Sequence, residues 1–237
     1  MSILLKNTTL RASGNPSDFK DNILWLDMAD YSTYSFRPGT DYTTLLLDKS
    51  GKGNNAVQAT EVYQPLYVVG VKNGNSVLRC DSDFMVSPLN MNSYTNMTIF
   101  AVYRLNAVGG SVIRCLFGQN NGGYDRTLYA TLMGIAKLGK GNGDAITISD
   151  FTPQDVWYSF AVVYNGASSA VYTGNTLSTT FTALAPSGTI DTAIGNGSSS
   201  NSYNFQGDIA EIIMYGRALS DNERNAVVNY LSNKWAI

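Results

Sequence analysis

Carboxylates are the first groups in this chain to ask about for acid–base chemistry. The 237 residues include no histidine, which removes a Ser-His-Asp triad, a histidine-bearing zinc site and an imidazole base together. Cys80 and Cys115 are the two cysteines, too few to build a zinc cage by themselves. No G-x-x-x-x-G-K-[ST] loop is present to cradle a phosphate. Glycoside hydrolysis would need two carboxyls about 5–5.5 Å apart for retention, or about 6.5–9.5 Å for inversion. The glutamates are Glu61, Glu211 and Glu223. Glu223 reads as part of a helix cap. Glu211 lies in the apolar strand IAEIIMY on the face of Ile209 and Ile213, where Arg217 or a backbone amide is the expected partner. Asp81-Ser82-Asp83 is the nearest paired set, at the mouth of a loop and without a glutamate. Asp27 and Asp30 are equally loop-like. Hydrolysis is therefore the remote alternative to a non-catalytic reading.

Binding chemistry fits better. A hard cation needs 6–8 oxygen ligands, and the loop aspartates Asp81, Asp83 and Asp125 form no dense acidic motif. No cofactor is expected, and a weak calcium site is left open. The 15 tyrosines and 3 tryptophans carry flat apolar faces with polar tips. Trp25, Trp157 and Trp235 sit in apolar runs and are expected in the core. Two Asn/Gly-rich segments, QNNGGYDR (119–126) and GNGSSSNSY (195–203), read as loops. Tyr124 and Tyr203 could stack on a sugar ring there while Asp125, Asn196 and Asn201 bond its hydroxyls. The plain alternative is a pair of solvated loops.

Something must position these groups, and composition narrows what. Charged residues make up 14% of the chain and the net charge is −2, against about 25% charged in an average soluble domain. A surface of Ser, Thr, Asn and Gly offers no basic footprint for nucleic acid. No apolar run approaches the ~20 residues that span a bilayer. The opening MSILLKNTTLRASG lacks the apolar core and cleavage site of a secretory signal, so folding in a cytoplasm is expected. Cys80 and Cys115 lie in strand-like runs, as buried free thiols.

Short strand-like runs recur at 23–27, 76–80, 97–105, 112–117, 145–149, 156–164 and 209–215, broken by Asn-Gly and Gly-Asn turns. TIFAVYRL and VWYSFAVVY are apolar on both faces, as strands covered on each side are. The convincing helix comes last. In LSDNERNAVVNYLSNKW, Ser220 and Glu223 form a capping box, and Val227, Leu231 and Trp235 form an apolar stripe. Residues 1–22 read as an arm or edge strand carrying Ile3, Leu4, Leu5, Leu10 and Phe19, ahead of one domain at 23–237.

Five segments in order resemble the laminin-G-like, concanavalin A-type jelly rolls of bacteria and bacteriophages. They are ILWLDMAD (23–30), DKSGKGNNA (48–56), GNSVLRCD (74–81), the pair MTIFAVYRL and WYSFAVVYNG, and GDIAEIIMYGRALSDNERNAVVNYLSNKW (207–235). The third departs from the family's usual Phe-Asp-Gly ending. The resemblance implies an all-β, two-sheet antiparallel jelly-roll sandwich with one C-terminal helix. The glucanase signature E-x-D-x-x-E of catalytic relatives is missing. The resemblance and composition together imply a binding or structural protein of a bacteriophage virion surface, in capsid decoration, a head fibre or a tail. Its expected partners are a capsid or fibre protein and cell-surface glycan, with association of identical copies left open. A stand-alone lectin or adhesion module is the alternative.

Overall fold

The computed structural model describes residues 14–106, 113–119, 125–130, 136–141, 144–148, 154–198 and 203–237. In chain order the first strands are β1 (Asn22–Asp27), β2 (Tyr34–Phe36), β3 (Thr43–Leu46), β4 (Ala56–Val57), β5 (Leu66–Lys72) and β6 (Asn75–Asp81). Next come β7 (Met85–Ser87), β8 (Met97–Leu105), β9 (Arg114–Gln119), β10 (Asp125–Ala130), β11 (Ala136–Gly141) and β12 (Asp144–Ile148). The last are β13 (Trp157–Tyr164), β14 (Ser169–Thr173), β15 (Thr176–Phe181), β16 (Thr192–Ile194) and β17 (Gln206–Tyr215), followed by α1 (Asp221–Trp235).

These form two antiparallel sheets. One has eight strands in the order β15-β14-β13-β8-β17-β6-β5, with β1 also on β17; the other has nine, β12-β11-β10-β9-β16-β7-β4-β3-β2. The long β17 explains the branch. Its residues 206–209 pair with β6 and its residues 211–215 pair with β1, while β8 lies along its other edge. The expected jelly-roll sandwich with one C-terminal helix is what the chain forms.

Alternation along β8 shows why its sequence is apolar throughout. Ile99, Ala101, Tyr103 and Leu105 enter the core between the sheets. Phe100 and Val102 face outward into a second core, closed by Val227, Val228, Leu231 and Trp235 of α1. The domain thus has three layers, with the eight-stranded sheet in the middle. The helix stripe lands as its spacing predicts, and the capping box between Ser220 and Glu223 is formed. Cys80 and Cys115 are buried, free thiols, and burial pushes both well above the ordinary thiol range.

Residues 14–21, the described part of the expected arm, lie against this outer layer. Gly14 has φ of 79°, and a Cβ there would come within 2.3 Å of the Ala226 carbonyl oxygen of α1. The Pro16 carbonyl accepts from Tyr215 Oη at 2.9 Å and Asn22 Nδ2 at 3.2 Å, and Phe19 packs edge-on to Tyr215. Ile3, Leu4, Leu5 and Leu10 lie outside the described residues.

Candidate binding site

The turn at 48–56 fixes the strand next to the candidate surface. Asp48 Oδ1 accepts from the Trp25 and Ser50 amides, both at 2.9 Å, and its Oδ2 accepts from the Asn54 amide at 3.0 Å. Asn54 Nδ2 donates to the Ile23 carbonyl at 2.8 Å. Gly51 and Gly53 take φ of 77° and 76°, which the tight loop needs and side chains resist. These bonds clasp β1 to the turn.

Lys49, carried by that turn, bridges Asp27 Oδ2 at 2.9 Å and Asp30 Oδ2 at 2.7 Å and lies over the Trp25 ring. Lys49 and the Ser32 hydroxyl hold the Asp30 carboxyl below its usual range. Asp30 Oδ1 also accepts from the Ser32 amide, shaping the turn that lifts Tyr31 off the surface. Tyr31 is 64% exposed. Its ring lies 5.5 Å from Phe36 and 5.6 Å from Tyr67, while Tyr34 stacks on Phe36 at an interplanar angle of 6°. The turn at 31–33 supplies Tyr31, and strands β2 and β5 supply the other rings from edges of the two sheets, with a Tyr42–Leu66 bridge between the sheets nearby. The result is an aromatic platform at a sandwich edge, one ring standing in solvent and three braced behind it.

The loop residues chosen from sequence are placed differently. Asp125 opens β10 fully buried. Its Oδ2 accepts from Asn92 Nδ2 at 3.3 Å and the Ser187 amide at 3.4 Å, and its Oδ1 has no partner. Asn196 is also fully buried, its Oδ1 accepting from the Gly197 and Tyr203 amides. Both side chains thus shape loops from within. Tyr203 is half-buried, and Tyr124 and Asn201 lie outside the described residues. Among the described residues no three Asp, Glu, Cys or His side chains converge to hold a metal ion.

The buried carboxylates of the outer layer are tied down. Glu211 accepts from Trp25 Nε1 and Trp235 Nε1 at 2.7 Å each, Lys234 Nζ at 2.8 Å and Tyr230 Oη at 3.0 Å. The expected partner, Arg217, instead clamps Glu223 at 2.7 Å. A bulge lies between Ile209 and Glu211. It sends Ile209 into the inter-sheet core while Ala210 and Ile213 meet the helix, so Glu211 shares a face with Ile213 but not with Ile209. Asp208 is held by Arg79 at 2.7 Å and by Arg104. Asp81 and Asp83 remain near the surface. Burial, then the Asp81 charge, raises the Asp83 carboxyl to about 6, against the Asp81 amide that bonds it.

A family model described as the concanavalin A-like lectin/glucanases superfamily matches residues 81–223, more than half of the chain. The chain belongs to this superfamily. Comparison with curated proteins finds no match. Among solved structures, this lectin/glucanase chain is similar to the binding domain of Paraclostridial Mosquitocidal Protein 1 (TM-score 0.65, 13% identity, 92% of this chain and 53% of that one). It is also similar to the botulinum neurotoxin serotype D/C binding domain (TM-score 0.55, 14% identity, 91% and 53%). A third is a Trypanosoma rangeli sialidase in complex with 2,3-difluorosialic acid (TM-score 0.61, 13% identity, 91% and 33%). The chain thus spans a third to about half of these three chains, and at these identities the likeness is one of fold.

Sequence reading missed the Tyr31 platform. The run YSTYSF held the signal, with aromatic residues at 31, 34 and 36, but its strand of three residues is too short to show a period.

Proposed function

We propose that the protein is a non-catalytic, glycan-binding domain, with the platform of Tyr31, Tyr34, Phe36 and Tyr67 as its principal contact. The observation that carries this reading is the exposure of Tyr31 on a braced stack of rings. The apolar face of a sugar ring packs on such a surface, and little side-chain freedom is lost because the supporting rings are already fixed. Non-catalysis is supported by the fate of the carboxylates: Asp27, Asp48, Asp208 and Glu211 are spent on structural bonds. That two similar structures are binding domains supports the same reading. Tyr203, with Tyr124 and Asn201, is proposed as an outlying contact.

The setting we propose is a bacteriophage particle, whose capsid or fibre protein the first residues would engage while the platform faces outward. The weakly charged polar composition and the resemblance in the sequence favour it. A panel of immobilised glycans tests the function: the full chain should retain a subset and release no reducing sugar from any. Reproducible turnover, or no retention at all, would contradict it. Co-sedimentation with particles tests the setting.

A further inference from the structure

Near the end of β8 and the start of β9 lies a cleft among Tyr103, Leu105, Arg114, Tyr129 and Phe205. Its enclosed space is about 20 Å³ and its walls are mostly apolar, so it admits one small group. Arg114 stands out there. Among the described residues, Arg37, Arg79, Arg104, Arg217 and Arg224 each face a carboxylate, and Arg126 is wrapped by the carbonyls of Met91, Tyr94 and Thr95. Among the described residues Arg114 has no ion pair. Its one hydrogen bond runs from Nη1 to the Asn204 carbonyl at 3.5 Å, and its buried Nε has no acceptor. Burial lowers its pKa, opposed only by the charge of Asp81 through space. Asp81 is itself bonded by Gln206 Nε2 at 2.9 Å. A guanidinium keeps its charge in proteins, and its planar fork matches a carboxylate. An unpaired cation beside an apolar wall is unfavourable until an anion joins it.

We propose that Arg114, at this cleft, binds the carboxylate of an acidic sugar that ends a glycan chain. The inference rests on the glycan-binding reading but not on the Tyr31 platform. The space fits a carboxylate and little more, so the remainder of the ligand lies outside. There Asp81 and Gln206 can accept from and donate to its hydroxyls. A peptide C-terminus shares the carboxylate but not the hydroxyls.

Titration calorimetry of the full chain with glucuronate-terminated and matching glucose-terminated oligosaccharides isolates the carboxylate. The acid should bind about tenfold more tightly or better, with the advantage shrinking as salt is added. Arg114→Gln should abolish the preference, and Arg114→Lys should keep part of it. Equal affinities for acid and neutral sugar in the native chain overturn the proposal and leave the glycan reading standing, and this comparison needs no variant to fold. An undiminished preference in a folded Arg114→Gln overturns it as well. Tighter binding of a peptide with a free C-terminal carboxylate overturns the sugar assignment. Failure of the native chain to bind any glycan defeats the glycan reading, and this inference with it.

Discussion

Trp235 Nε1 donates to Glu211 Oε2 at 2.7 Å, joining the last residue of α1 to the middle of β17 with both side chains fully buried. The same carboxylate takes Trp25 from β1 and Lys234 from α1, so one side chain ties three elements together. Glu211→Ala would leave two indole N–H groups and the Tyr230 hydroxyl without that acceptor, and Lys234 with Asp27 as its remaining carboxylate. Removing one partner of a buried pair costs about 3–5 kcal/mol, and urea denaturation should show a loss of that order. Trp235→Phe keeps most of the packing and drops one bond, so about 1–3 kcal/mol is expected. A Glu211→Ala midpoint equal to the native one would mean that α1 is not held this way.

The helix start offers a pH test. Arg217, with the Ser220 amide and hydroxyl assisting, holds Glu223 at about 2, below its ordinary 4.5. A carboxyl depressed in the folded state adds stability above its unfolded pKa and loses it as pH falls through the folded one. Stability should therefore fall as pH drops from about 4.5 toward 2, and Glu223→Gln should flatten that part of the profile. Ser220→Ala, which removes the cap, should cost about 0.5–2 kcal/mol at neutral pH.

Asp83 should behave in the opposite sense. Burial raises its carboxyl to about 6 from 3.8, so the folded chain binds that proton more tightly than the unfolded one. Stability from this group falls as pH rises from about 4 to 6. Asp83→Asn, still able to accept from the Asp81 amide, should melt above the native chain at pH 7.5 and level with it at pH 3.5. A gap of the same size at both values would contradict the assignment.

Much of the fold was legible because its longest elements are also its most regular. The strand expected at 97–105 has those bounds, and the Ser220–Glu223 box and the Val227, Leu231 and Trp235 stripe mark α1. Strands β2, β4 and β7 have two or three residues, too few for alternation to be visible. The partners of Glu211 were missed because Trp25, Tyr230, Lys234 and Trp235 come from β1 and α1, elements that only the tertiary fold brings to it. At the loop end, polar composition suggested exposure for Asp125 and Asn196, yet their side chains satisfy backbone amides from inside. Sequence shows that a residue can hydrogen-bond but not whether a neighbour has already claimed it.

Deleting residues 2–20 would remove Gly14, Pro16 and Phe19 from the surface of α1 and Tyr215, and the melting temperature should drop by several degrees, about 2–4 °C for each kcal/mol lost. The same deletion tests the proposed attachment, with particle association expected to disappear.

The central claim is that Tyr31 and its supporting rings form a sugar-binding platform, and calorimetric titration of Tyr31→Ala tests it most directly. Tyr31 stands largely in solvent, so its removal should leave the melting curve in place. Affinity for a glycan retained by the native chain should fall by about tenfold or more, the loss of a principal aromatic contact. Unchanged affinity in a folded Tyr31→Ala chain would contradict the account.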